Sequence, residues 1–182
     1  GNVIIGGTGK SPVVQKIAQL YLSEGYIVAI ASRGIGQNIK PLYVHNHSKS
    51  DEINLLSDEN REHYEILKKF FYKESNIFYI LQNKERLSSL EFLITELKTR
   101  DNLKNLKCVF ILDDGLQHFS CPRHMNLCLW STDILLNSPH FPMPIGPYRE
   151  GFGKNSFQSL LNYFDFRLWS RVEKNNTKKY IG

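Results

Sequence analysis

The segment Gly6-Gly7-Thr8-Gly9-Lys10-Ser11 constrains this chain more than any other, because of what stands on either side of it. Asn2 to Ile5 is mostly apolar, β-branched and stopped by Gly6-Gly7, which predicts a short buried strand. Pro12 suits the first turn of a helix whose Val13, Val14, Ile17 and Tyr21 share one face, and Gly25 ends it. In the order strand, glycine loop, helix, backbone N–H groups and a helix N-terminus can surround phosphates. Lys10 is suited to neutralise β- and γ-phosphates as a point charge, and the Ser11 hydroxyl to ligate Mg²⁺. The usual phosphate-loop pattern has a glycine five residues before Gly9, where this chain has Ile4.

The rest of the chain continues the alternation. Tyr26 to Ser32 reads as an apolar strand ending in Ser32-Arg33-Gly34, and Leu42 to His45 as a short one. His45 to Ser57 is polar and reads as a loop, after which Asp58 can cap a helix to about Tyr72, with Tyr64, Leu67 and Phe71 on its buried face. Ile77 to Leu81 predicts a strand, Leu87 to Leu97 an amphipathic helix, and Lys107 to Leu112 a nearly all-apolar strand that stops at Asp113-Asp114. Asn126 to Trp130 and Phe166 to Trp169 add further strands, while the Pro- and Gly-rich stretch from Pro139 to Gly153 reads as a shaped loop. Strands alternating with helices imply an α/β fold, a phosphate-loop NTPase-like parallel sheet with helices on both faces. The 182 residues, 41% hydrophobic, suffice for one such domain over 1–170, followed by a polar tail or the start of a further domain at 171–182. Gly1 stands where a Met would open a reading frame, so the numbering is expected to begin inside a longer protein.

Charge and cysteine usage narrow the function classes. The net charge of +5 is scattered rather than gathered into a basic stripe with interleaved aromatics, which argues against a nucleic-acid partner. Cys108, Cys121 and Cys128 are odd in number and lack CxxC spacing, which argues against a disulfide framework or zinc knuckle and for a reducing compartment. No apolar stretch reaches the roughly 18 residues needed to cross a bilayer.

Candidate chemistry gathers around the strand that ends in Asp113-Asp114, since a carboxylate that supports Mg²⁺ must emerge from the sheet beside the phosphate loop. Asp51-Glu52 and Asp58-Glu59 are acidic pairs that could supply a base for a substrate hydroxyl, or cap helices. Asn83-Lys84-Glu85-Arg86 begins like a guanine-reading element but ends in Arg86, which cannot accept the guanine donors, and it reads as a solvated turn. His118 follows Asp114 closely enough to reach the same cleft.

Four segments in order, Gly1-Asn2 with Gly-Gly-Thr-Gly-Lys-Ser-Pro, Ser32-Arg33-Gly34-x-Gly36, Asp113-Asp114-Gly115-Leu116-Gln117-His118 and Pro144-x-Gly146-Pro147-x-Arg149-Glu150, resemble the tetraacyldisaccharide 4′-kinases, the lipid A kinases. The resemblance spans about Gly1 to Glu150 and implies transfer of the ATP γ-phosphoryl group to the 4′-hydroxyl of a tetraacylated glucosamine disaccharide, with ATP and Mg²⁺ as cofactors, at the cytoplasmic face of the inner membrane. It implies nucleotide binding by Gly6, Gly7, Thr8, Gly9, Lys10 and Ser11, with Ser11 in place of the usual Thr, and metal binding by Ser11, Asp113 and Asp114. The family's base lies in a Gly-Asp-Glu-Pro element, for which Ser57-Asp58-Glu59-Asn60 is the better match; Asp58 is the implied base, Asp51 its rival and Lys10 the catalytic cation. Arg33, Glu59, His118, Arg149 and Glu150 are candidate substrate contacts, and Ile35 replaces the family's usual Tyr. A hydrophobic N-terminal anchor and a histidine-bearing C-terminal domain, which the family also carries, would lie outside these residues, as would the contact with an anionic membrane surface. The rival readings are a phosphate-loop ATPase or nucleotide switch without a lipid acceptor, and a binding-only chain that turns nothing over.

Overall fold

The computed structural model describes residues 9–34, 41–70, 76–103, 105–115, 118, 120–131 and 164–170. The strand expected at Asn2–Ile5 and the loop expected at Pro139–Gly153 lie outside them. The chain divides into two compact units, residues 11–121 and residues 1–10 with 122–182.

The larger unit is built on a four-stranded sheet in the order β2-β3-β1-β4, with β1 Ile27–Ser32, β2 Leu42–His45, β3 Phe78–Gln82 and β4 Cys108–Leu112. β1 pairs in parallel with β3 and β4. Every residue of β1 and β3 is buried, as strands covered on both faces require. Alternation then sorts their side chains. Val28 and Ile30 face a core with Phe78 and Ile80 of β3, Ala18 and Leu22 of α1 (Lys10–Ser23), and Tyr64 and Leu67 of α3 (Asp58–Lys69). Ile27, Ala29 and Ala31 face a second core with Tyr79, Leu81, Leu93 of α4 (Arg86–Thr99) and Leu103. Each fully buried Ile or Leu contributes about 1.5–3 kcal/mol of transfer free energy, so the two cores hold the sheet between helix layers.

Three details go beyond or differ from the sequence reading. The sheet is parallel as expected in β1, β3 and β4, and the edge strand β2 runs antiparallel to β3. Only residues 33–41 separate β1 from β2, fewer than the dozen or more that a parallel crossover needs. The polar stretch read as a loop holds a short helix, α2 Ser50–Asn54, which buries Ile53. Ser57, not Asp58, is the N-cap residue of α3, with extended backbone (φ −61°, ψ 157°), and Asp58 is the first helical residue. Acidic Asp58 and Glu59 in the first turn and basic Lys68 and Lys69 in the last complement the helix dipole.

In the other unit β5 Leu127–Ser131 and β6 Phe166–Ser170 pair in parallel, Leu127 opposite Phe166. The two predicted strands exist, and they pair with each other in a two-stranded sheet. No helix among the described residues is long and apolar enough to cross a membrane.

The turn after β4 is fixed by close packing. Asp114 adopts a left-handed conformation (φ 53°), and a Cβ on Gly115 would stand 2.5 Å from the Leu112 Cβ. Gly115→Ala is expected to destabilise the protein by about 1–3 kcal/mol, read as a lowered urea midpoint, because the turn must shift to admit the methyl group.

Candidate active site at the strand ends

The parallel register brings the C-terminal ends of β1, β3 and β4 level. Ser32 lies opposite Gln82, Asp113 donates its backbone N–H to the Ala31 carbonyl at 2.9 Å, and Asn83 donates to the Ser32 carbonyl at 3.1 Å. In parallel α/β sheets this edge is where ligands bind.

Helix α3 is tied to that edge by buried amides. Gln82 Oε1 accepts the Ser57 backbone N–H at 2.8 Å and Asn60 Nδ2 at 2.9 Å, while the Ser32 hydroxyl donates to Asn60 Oδ1. Asn60 is wholly buried, so these bonds are made without competing water. The left-handed Gly34 (φ 73°) closes the other side: a Cβ there would meet the Gln82 side chain at 3.0 Å. Asn60, where the resembled family has Pro, is therefore a structural tie between the Ser-Arg-Gly turn and the start of α3.

With α3 so placed, three side chains converge. A carboxylate oxygen of Glu59, a ring nitrogen of His63 and a carboxylate oxygen of Asp113 all lie within 4.8 Å of one another. Ser11 Oγ donates to Glu59 Oε1 at 3.4 Å, which adds the first turn of α1 to the group. That turn carries no acidic residue, as suits a helix N-terminus facing an anion. Two carboxylates and a hydroxyl form a hard-oxygen donor set that fits Mg²⁺.

The structure distributes the expected site residues as follows. Glu59, expected at the substrate, links two of the expected metal ligands: it accepts from Ser11 and has an oxygen within 4.8 Å of one of Asp113. Asp114, next in sequence to buried Asp113, is half-buried in the left-handed turn. Asp58 is exposed on the first turn of α3 beside Glu59, and its rival Asp51 is exposed on α2. Lys10 opens α1, Gly9 precedes it with φ 78°, and Arg33 is exposed just beyond β1. His118 is half-buried, with its pKa lowered first by burial and then by the Arg86 charge. Gly6, Gly7, Thr8, Arg149 and Glu150 lie outside the described residues.

Two features escaped the sequence reading. His63, wholly buried, shares the α3 face of Tyr64 and Leu67, and its signal was its spacing four residues after Glu59. Asn83 to Arg86 is no solvated turn: Asn83 and Arg86 are buried, and an Arg86 Nη1 donates to the Asn83 carbonyl. Burial pulls the Arg86 guanidinium below its ordinary pKa, opposed by the charges of Asp114 and Asp113. A buried cation thus balances the paired carboxylates at the end of β4.

A mostly parallel sheet with helices on both faces and an acidic strand end, in a chain whose sequence has Gly-Gly-Thr-Gly-Lys-Ser before and at the start of α1, makes this an α/β protein of the phosphate-loop NTPase type. The family model described as tetraacyldisaccharide-1-P 4′-kinase matches residues 1–162, and the chain belongs to that family. The tetraacyldisaccharide 4′-kinase of Psychromonas ingrahamii is 28% identical over 165 residues, covering 89% of this chain and 45% of the relative. That of Pelobacter propionicus is 30% identical over 152 residues, covering 82% and 38%. The chain thus spans under half the length of these curated relatives. The crystal structure of the family member from Aquifex aeolicus in complex with ATP superposes with a TM-score of 0.66 at 23% identity, over 94% of this chain and 46% of that one, and so shares its fold.

Asn60→Ala is expected to cost about 1–3 kcal/mol of stability, since it strands the buried Ser32 hydroxyl and leaves a cavity. Chemical denaturation checks this, and an unchanged midpoint would deny the tie between α3 and the strand ends.

Proposed function

We propose that this chain is the nucleotide-binding part of a kinase that transfers the γ-phosphoryl group of ATP to the 4′-hydroxyl of a tetraacylated glucosamine disaccharide, a step in lipid A biosynthesis. The observation that carries the reading is the Ser11, Glu59 and Asp113 donor set at the head of α1, immediately after Lys10. Family membership supports the acceptor class.

In this reading Lys10 and the Gly6–Gly9 backbone hold the phosphates, and Lys10 offsets the charge that spreads over the γ-phosphoryl oxygens. Ser11, Glu59 and Asp113, with Asp114 beside them, would hold Mg²⁺. The ion, when bound, neutralises phosphate charge and orients the γ-phosphate for in-line transfer. Asp58, exposed at the helix start one residue before Glu59, accepts the proton of the 4′-hydroxyl as that oxygen bonds to the γ-phosphorus and the bond to the β-phosphate bridging oxygen breaks, releasing ADP. Arg33 and His118, with Arg149 and Glu150, are the candidate contacts for the sugar and its phosphate. Family membership supports work at the cytoplasmic face of the inner membrane, where this reading puts the lipid acceptor.

The intact protein, incubated with Mg²⁺, labelled ATP and the disaccharide lipid, is expected to label the lipid. ATP hydrolysis at the same rate without acceptor would instead support a nucleotide switch, and nucleotide binding without turnover a binding-only protein. Lys10→Ala is expected to reduce transfer at least about 10²-fold, the scale of losing one transition-state charge contact. Asp58→Ala is expected to lower kcat about 10²–10⁴-fold with ATP affinity largely kept; the same loss from Asp51→Ala, with Asp58→Ala active, would move the base to Asp51.

A further inference from the structure

Behind Asp113 lies a row of polar side chains to which phosphate binding gives no task. Gln15 Nε2 donates to Glu62 Oε1 at 3.2 Å and stands 3.3 Å from His63 Nδ1, and His63 Nε2 stands 3.1 Å from Asp113 Oδ2. Gln15 is 6% exposed, His63 0% and Asp113 2%. The order of donors along this row is set by chemistry. A carboxylate accepts and does not donate, so Glu62 requires the amide nitrogen of Gln15 to face it, and the second hydrogen of that nitrogen is left for His63. His63 Nδ1 is therefore the acceptor, the ring proton sits on Nε2, and Nε2–H donates to Asp113.

His63 lies on the buried face of α3 with Asn60, Tyr64 and Leu67, where an aliphatic side chain would fill the same space without a polar group to satisfy. Its two nitrogens are both engaged, so the ring as placed offers no lone pair to a metal. What it does offer is a fixed donor to Asp113 Oδ2, in a carboxylate that has an oxygen within 4.8 Å of a Glu59 oxygen, while Glu59 in turn accepts from Ser11. We propose that His63 is a positioning residue, which through its Nε2–H orients the Asp113 carboxylate for the divalent cation that accompanies the nucleotide, with Gln15 setting its tautomer. The inference rests on the reading of Asp113 as a metal ligand.

The test compares His63→Leu, which removes the donor, with His63→Gln, which keeps an N–H near the Nε2 position. Calorimetric titration of the intact protein with ATP over a range of Mg²⁺ gives the Mg²⁺ concentration at half-maximal binding, and thermal melts report folding. His63→Leu is expected to raise that concentration about 10-fold or more, the usual scale for losing a partner of a metal-ligating side chain. His63→Gln is expected to recover most of the loss. Leu and Gln variants that behave alike, both unaffected, both equally impaired or both unfolded, would overturn the proposal, as would wild-type ATP binding that ignores Mg²⁺. Wild-type protein that binds Mg²⁺-ATP but phosphorylates no disaccharide lipid would sink the proposed function, while the contrast between Leu and Gln would still decide the role of His63.

Discussion

Gln82 ends β3 with its amide oxygen between the start of α3 and the end of β1, accepting from the Ser57 N–H and from Asn60 while Asn60 accepts from Ser32. Everything chemical in the larger unit depends on this tie. A helix packed on a sheet through Tyr64 and Leu67 alone could slide along its axis at little cost, since apolar contact is non-directional. Buried amides do not permit that, because each position of the helix but one leaves donors and acceptors unpaired. The tie therefore fixes where Glu59 and His63 stand relative to Asp113.

From that placement the site follows in layers. Parallel pairing levels the strand ends, the Asp113-Asp114-Gly115 turn is held tight against Leu112, and buried Arg86 balances the carboxylates. The first turn of α1 adds a hydroxyl and the positive end of a helix. The outcome is a hard-oxygen group that includes the Ser11 hydroxyl, a donor set of the kind that Mg²⁺ takes in phosphoryl transfer. His63 is the one soft donor in the group, and its proton directs it to a carboxylate rather than to a metal.

The fold was legible in the sequence where one physical demand acted alone. Ile27 to Ser32 and Phe78 to Gln82 are buried on both faces and could be read from apolarity, and the Gly-rich segment with Asp113-Asp114 marked the candidate site. The reversal of β2 was not legible from propensity, because it comes from the length of a connection, and α2 hid in a polar stretch with only Ile53 to bury. Polar residues on buried faces were harder. Asn60, His63 and Arg86 look like solvated positions until tertiary partners are known. Family resemblance pointed to Asp58 and Glu59 together, and only geometry separates an exposed carboxylate from one that faces Ser11.

The central claim is that the cation accompanying ATP sits among Ser11, Glu59 and Asp113. Paramagnetic broadening of amide resonances by Mn²⁺ in the presence of ATP tests it directly. The account predicts that the signals of Ser11, Glu59 and Asp113 vanish first, ahead of Leu22 and Leu67 farther along the same helices. Broadening centred on Asp51 and α2, or spread evenly over the acidic surface, would contradict it.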